Sequence, residues 1–318
     1  MYNLGIDLGG TNIVVGVVDD SMRIIGKGKR KTNMPRSAEE IFDDMVLAAK
    51  DACAQAGITL DDITYVGLGT PGAVDDKNGV ITYSANLFFH NVEAVKMLQE
   101  RFGKKIYIGN DANCAAFGEF LAGAGKGNSD FVAITLGTGV GGGIIINDKL
   151  LTGFNGAAGE VGHIVIEVDG EQCNCGRKGC WERYASATGL IMLTEKYLEK
   201  TGDPILKEAI EKEGEVNGKV AYIAARNGSE GSAKVTAEYA RYIAIGAANL
   251  INTLQPQVLC IGGGVSHEGE ALLEPVKEYI KQESYTRDNP DDRQTEIKLA
   301  ELGNDAGIIG AALLYKND

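Results

Sequence analysis

The stretch at 2–19, YNLGIDLGGTNIVVGVVD, sets alternating or continuous apolar residues on both sides of GGTN, the pattern of two strands joined by a glycine-rich turn. It predicts a β-hairpin at the very start. The same design returns at 131–147, FVAITLGTGVGGGIIIN, again a strand, a glycine-rich turn containing Gly-Thr, and a strand. The repetition is one of pattern, not of letters, and it predicts an internal duplication into two similar lobes. Outward from the first hairpin, Ser37 and Glu40 form a capping box. Ile41, Phe42, Met45, Val46, Ala49 and Cys53 then recur at helical spacing until Gly57 supplies the stop. A strand at 63–68, a Thr70-Pro71-Gly72 turn, a helix around 92–101, a strand at 105–108 and a helix from about Ala112 continue an α/β alternation. The second half reads as largely helical, at 182–199, 204–212 and 233–253. Strands at 258–261 and near 296–299 and a helix from about Asp305 complete it.

At 318 residues, the chain has room for about two domains of roughly 150 residues, each with a real core. With 44% hydrophobic and 24% charged residues it is an ordinary globular composition, neither disordered nor membranous. Glycine is the exception: 43 of them, roughly twice the usual share of about 7%, beside only six prolines, suggests tight turns and close backbone approach to a ligand. Acidic residues outnumber basic ones 44 to 31, a net charge of −13, which argues against a diffuse grip on nucleic acid and requires any anionic ligand to be held locally. The N-terminus lacks a basic stretch followed by an apolar core, and the uncharged run 131–147 is too short and glycine-broken to span a bilayer. A cytoplasmic protein is expected. Of six cysteines, Cys53, Cys114 and Cys260 stand singly in apolar surroundings and read as core, while Cys173, Cys175 and Cys180 cluster.

Asp7 at a strand end, followed by Gly9, Gly10, Thr11 and Asn12, offers a carboxylate for metal or water, bare backbone N–H groups and a hydroxyl. Those are the parts that hold nucleotide phosphates and Mg²⁺, although such a turn is also an ordinary hairpin. A second loop, Gly137-Thr138-Gly139, matches it, and two such loops can clamp a polyphosphate. Gly262, Gly263 and Gly264, at the end of a strand, would let an adenine lie against bare backbone. Asp111 lies where a strand ends and a helix begins, and reads equally as a helix N-cap or as a base that accepts a hydroxyl proton.

Seven segments in order, LGIDLGGT (4–11), GLGTPGAVD (67–75), NDANCAAFGE (110–119), LGTGVGGGIII (136–146), GAAGEVGHIVI (156–166), CNCGRKGCWERYAS (173–186) and IGGGVS (261–266), resemble the ROK family of sugar kinases and related repressors. ASATGL at 185–190 is most similar to the family's ATP-dependent glucokinases. The resemblance implies an actin-like ATPase (ribonuclease H-like) fold, α/β, with two lobes and a cleft between them. The expected division is a small domain at 1–117, a larger one at 118–303 and a C-terminal helix, 304–318, returning to the first. It implies Asp111 as catalytic base and Gly72, Asn86, Asn110, Glu160, His163 and Glu182 as sugar ligands, with ATP and Mg²⁺ on the phosphate loops. The expected reaction is phosphorylation of glucose at its 6-hydroxyl. N-acetylmannosamine, N-acetylglucosamine, allose and fructose are the rivals, because Phe88-Phe89 after Asn86-Leu87 departs from the Gly-Trp pairing of many glucokinases. A repressor role is disfavoured, since Asp7 is the seventh residue and no helix-turn-helix precedes it. A homodimer is the family expectation.

His163, Cys173, Cys175 and Cys180 supply one imidazole and three thiolates, the ligand set of a closed tetrahedral structural zinc site. Three clustered cysteines cannot fully pair as disulfides. A closed site does no Lewis-acid chemistry; its expected work is to fix the loop of Glu160 and orient His163, so that chelation would weaken sugar binding before nucleotide binding. Trp181, the only tryptophan, falls between Cys180 and Glu182, and its fluorescence is expected to report bound sugar.

Overall fold

Strand Tyr2–Leu8 (β1) turns through Gly9–Thr11 and pairs antiparallel with Asn12–Val18 (β2), Asp7 opposite Val14 and Leu8 opposite Ile13. In chain order follow β3 (Ile24–Lys31), α1 (Ala38–Ala56), β4 (Ile63–Thr70), β5 (Ala73–Asp75), β6 (Val80–Ser84), β7 (Phe89–Val92), α2 (Ala94–Phe102), β8 (Lys105–Asn110) and α3 (Asp111–Ala122). Then come β9 (Phe131–Leu136), β10 (Val140–Ile146), β11 (Lys149–Leu150), α4 (Glu182–Ala185), α5 (Ala187–Thr201), α6 (Pro204–Glu213), α7 (Val220–Arg226) and α8 (Glu230–Leu254). The chain finishes with β12 (Val258–Gly262), α9 (Glu270–Glu283), β13 (Glu296–Leu299) and α10 (Ala306–Leu313). The structure, a computed structural model, describes residues 1–317.

The two hairpins open two five-stranded sheets of identical order, β3-β2-β1-β4-β8 and β11-β10-β9-β12-β13. In each, the hairpin's first strand is followed by two parallel strands reached by crossovers: β1 with β4 and β4 with β8, β9 with β12 and β12 with β13. The duplication expected from pattern is therefore present as topology. Two units emerge, Met1–Ser129 with Gly143–Gly159 and Glu301–Asp318, and Asp130–Gly142 with Glu160–Ala300. α3 lies whole in the first unit, and the chain enters the second unit twice.

In the first unit α1 starts and stops where its sequence says. The Ser37 hydroxyl accepts the Glu40 N–H, the Glu40 carboxylate accepts the Ser37 N–H, and Gly57 ends the helix at φ +72. Ile41, Phe42, Met45, Ala49 and Cys53 bury against Leu4, Ile6, Ile13, Val15 and Val17, an amphipathic helix laid on an alternating sheet. α10 packs on β1 and on α3 at backbone distance. A Cβ on Gly5 would stand 1.8 Å from the Ile308 carbonyl oxygen, and one on Gly310 1.7 Å from that of Cys114. Part of the glycine excess thus serves helix packing rather than a ligand.

The second unit is largely helical, with departures from the pattern reading. The expected helix at 182–199 is broken at Ser186, which ends α4 and caps α5 by accepting the Gly189 N–H. α7, α9, β3 and the small sheet β5-β6-β7 are additional to the expected elements. Cys53, Cys114 and Cys260 are buried, as expected of core cysteines. Among the described residues no helix is long and apolar enough to cross a membrane.

Candidate active site

In a parallel sheet the loops at the carboxyl ends of the strands are where ligands meet the fold. Register places Asp7 beside Gly69, Gly69 beside Gly109, and Thr70 beside Asn110. The Gly9–Thr11 loop, the Pro71-Gly72 turn and the Asn110-Asp111 pair therefore leave one end of the first sheet together.

Asn110, not Asp111, is the N-cap of α3: its side-chain oxygen accepts the N–H groups of Ala112 (2.9 Å) and Asn113 (3.2 Å), and its amide donates to the Gly72 carbonyl at 3.1 Å. Asp111 is thereby the first helical residue, its carboxylate accepting the Ala112 N–H at 2.9 Å. Burial raises its pKa, with the Ala112 N–H opposing. Asp7 is pushed up to about 6, first by burial and then by the negative charge of Asp111, which marks the two carboxylates as neighbours. Acids held this way cluster where chemistry is done.

Gly9 donates to the Asn12 carbonyl, and the Thr32 hydroxyl holds the Gly9 carbonyl at 2.6 Å, so the first loop is fixed from below while Thr11 stays exposed. Asn12 Oδ1 is buried without a hydrogen-bond partner among the described residues. An unpartnered oxygen and a half-buried carboxylate at the mouth of one hairpin fit hydrated Mg²⁺, a hard cation that takes oxygen ligands. Asn86 faces this loop from the β6–β7 turn: a Cβ on Gly10 would lie 3.5 Å from its Cβ. Gly72, at φ +104, has no room for a side chain, since a Cβ would stand 2.1 Å from the Tyr83 carbonyl oxygen. In the segment Asn86–His90, Leu87 and Phe89 are buried and only Phe88 and its polar neighbours are exposed. His90 and His267 are exposed, outside either cluster.

In the second unit, Gly137–Val140 and Gly262–Gly264 likewise stand at the carboxyl ends of parallel strands, with Gly262 beside Thr135. Gly263, at φ +89, lets the third loop pass within reach of the second, since a Cβ there would lie 2.5 Å from the Leu136 carbonyl oxygen. The second loop is tied at three points. Ala187 N–H donates to the Gly137 carbonyl (2.8 Å), the Thr188 hydroxyl to the Thr138 carbonyl (2.9 Å), and Val140 N–H to Glu182 Oε2 (3.2 Å).

The ligand atoms of His163, Cys173, Cys175 and Cys180 all lie within 4.8 Å of one another. Cys173 Sγ is 3.8 Å from His163 Nδ1, and Cys175 Sγ is 3.6 Å from Cys180 Sγ. A tetrahedral zinc with bonds of about 2.3 Å to sulfur sets its sulfurs roughly 3.8 Å apart, so donor set and spacing both fit. Burial pushes the Cys180 thiol up to about 12, a cost that a cation among the three sulfurs would offset. Glu160, just before the turn carrying His163, is exposed, and Glu182 is half-buried. Trp181 is fully buried, its indole N–H donated to the Tyr242 carbonyl at 2.8 Å and its ring against Gly246, where a Cβ would intrude to 2.0 Å. It bolts the knot to α8, a role its sequence neighbours did not announce.

The ROK family model matches residues 3–318. A glucokinase of Thermotoga maritima is 35% identical over 318 residues, covering 98% of this chain and 96% of that protein. One from Halalkalibacterium halodurans is 36% identical over 316 residues, covering 99% and 95%. The crystal structure of a ROK family glucokinase from Streptomyces griseus in complex with glucose and AMPPNP has a TM-score of 0.81 at 36% identity, covering 99% of both chains. A xylose repressor of Caldicellulosiruptor bescii is 31% identical and matches 99% of this chain but 78% of its own length.

Proposed function

The chain belongs to the ROK family and is a hexokinase-type phosphotransferase of actin-like ATPase fold acting on sugar and ATP, and from that premise we propose that it phosphorylates glucose at the 6-hydroxyl with Asp111 as base. The observation that carries the reading is the division of labour at Asn110-Asp111. Asn110 takes the capping bonds, which leaves Asp111 at a strand's carboxyl end with a carboxylate made more basic by burial. The glucose and AMPPNP of the Streptomyces griseus structure support the choice of substrates.

In the proposed step the hydroxyl oxygen forms a bond to the γ-phosphorus, the bond from that phosphorus to the bridging oxygen breaks, and the hydroxyl proton passes to Asp111. ADP leaves. Phosphoryl transfer of this kind asks chiefly for positioning and charge neutralisation, so holding the hydroxyl matters more than the strength of the base. The proposed sugar ligands are Gly72, Asn86, Asn110, Glu160, His163 and Glu182. Their amides, carboxylates and imidazole pair with hydroxyls that both donate and accept. Gly9, Gly10, Thr11 and Asn12, Gly137, Thr138 and Gly139, and Gly262 to Gly264 hold the nucleotide. Asp7 and Asn12 would hold Mg²⁺, directly or through water, and that ion would neutralise phosphate charge. His163, Cys173, Cys175 and Cys180 would hold a structural zinc ion, which would fix the loop of Glu160, and the second ring nitrogen of His163 would face the sugar.

The purified protein, given ATP and Mg²⁺ with glucose, N-acetylmannosamine, N-acetylglucosamine, allose or fructose in turn, is expected to release ADP with the highest kcat/KM on glucose. A higher value on any other of the four overturns the assignment of glucose and leaves the kinase standing.

A further inference from the structure

We propose that Glu182 is a positioning residue that couples the Cys₃His knot to the Gly137–Val140 loop, so that metal loading sets nucleotide affinity. The proposal rests on the reading of that loop as a phosphate loop. One carboxylate reaches both features: Oε2 accepts the Val140 N–H at 3.2 Å, and Oε1 lies 3.6 Å from Cys173 Sγ. The loop comes this close only because residue 139 is glycine, whose Cβ would stand 2.2 Å from Oε2. The other backbone group of Val140 is walled as well. Gly162, next to the ligand His163, sits where a Cβ would lie 2.3 Å from the Val140 carbonyl oxygen.

Both walls of Val140 are therefore neighbours of metal ligands, Gly162 of His163 and Glu182 of Cys180 and Cys173. A bound ion makes Cys173 a thiolate that no longer donates its S–H to Oε1, and it fixes the backbone of His163 and Cys180 on the two sides of Val140, which leaves the Glu182 carboxylate to the Val140 N–H. Without the ion the knuckle 173–180 keeps its internal bond from Cys173 N–H to the Arg177 carbonyl (2.8 Å) and its backbone ties to 166–171, Gly179 N–H to the Glu171 carbonyl and Ile166 N–H to the Gly179 carbonyl (both 2.9 Å), but it loses the ion that joins its sulfurs to His163. The backbone of Glu182 stays anchored beside Trp181, but its carboxylate is shared again with the Cys173 thiol, and the tie to Val140 weakens. The anchors at Ala187 and Thr188 come from α5 and do not pass through the ligands, so the loop is loosened rather than lost. Beside the expectation from sequence, that chelation weakens sugar binding, stands the expectation that nucleotide binding responds with no sugar present.

The test is the Kd of fluorescent mant-ADP with Mg²⁺, in the absence of any sugar. It compares the zinc-loaded protein, the same protein stripped with a zinc-selective chelator, and Glu182→Ala in both states. Stripping and Glu182→Ala are each expected to weaken binding about tenfold, the scale of a lost charge-assisted hydrogen bond, and together by no more than either alone. Glu182→Gln, which keeps an acceptor oxygen, is expected to recover most of the loss. Wild-type affinity in folded Glu182→Ala, or losses that multiply, would overturn the coupling. Failure of the zinc-loaded wild-type protein to bind mant-ADP would instead overturn the phosphate-loop reading beneath it.

Discussion

Asn110 and Asp111 stand side by side at the end of β8, yet the backbone gives them different duties. The cap needs a residue just outside the helix, and that position is Asn110; one place further in, Asp111 has little left to bind. Sequence alone left Asp111 divided between cap and base, because cap position depends on where the helix begins to within one residue, the least legible feature of a sequence. Asp7 carries a cost of its own. Below pH 3.8 its carboxyl is protonated in both folded and unfolded chains. As pH rises from 3.8 to about 6 the unfolded chain releases its proton first, and stability falls by up to about 3 kcal/mol by neutral pH. Asp7→Asn is thus expected to be more stable than the parent at pH 7 and no more stable at pH 3.5, in urea denaturation at the two values. It should also lose turnover. Equal stability at pH 7 would mean that the carboxyl is not strained by its burial.

At the scale of elements, the legible parts were those with complete local signals. α1 had a capping box, periodic apolar residues and a terminal glycine, and it spans Ala38–Ala56 as read. β3 had none of these: its glycines lower strand propensity, and they are there because α1 lies against them, a Cβ on Gly28 standing 1.9 Å from the Ala48 carbonyl oxygen. α9 was obscured by Pro275 inside it, although Leu272, Leu273, Val276 and Ile280 face its core at helical spacing. Glu119, the last residue of NDANCAAFGE, carried no sign of its task. Buried at the end of α3, it accepts the N–H groups of Ala124 (3.1 Å), Glu301 (3.1 Å) and Leu302 (2.7 Å), pinning the segment that leads into α10. Glu119→Ala orphans three donors and is expected to cost about 3 kcal/mol in chemical denaturation, whereas a loss below roughly 1 kcal/mol would show water replacing the carboxylate. Contacts this distant in sequence leave no local pattern to read.

For the whole molecule, two sheets of one strand order carry two different sets of tools at the same ends of their strands. The first unit has the paired acids and one glycine-rich hairpin loop; the second has two glycine loops and the Cys₃His knot. Both hairpin loops were legible because absent side chains and a hydroxyl are written directly in the letters. The ties that hold them, from Thr32, Ala187, Thr188 and Glu182, were not. Hydrogen exchange on the chelated protein is expected to quicken at 137–140, 160–186 and the part of α8 around Tyr242 and Gly246 that Trp181 packs on, and to leave β1, β2 and α1 unchanged. Quickening throughout would make the knot a general scaffold rather than a local one.

The central claim, that Asp111 takes the hydroxyl proton in transfer from ATP to glucose, is tested most directly by comparing Asp111→Asn with the wild-type protein in glucose-dependent ADP release. The account predicts that the variant keeps its nucleotide Kd within a factor of about three while kcat falls about a thousandfold, the usual scale for losing a positioned base. A variant turning over within tenfold of wild type would contradict it.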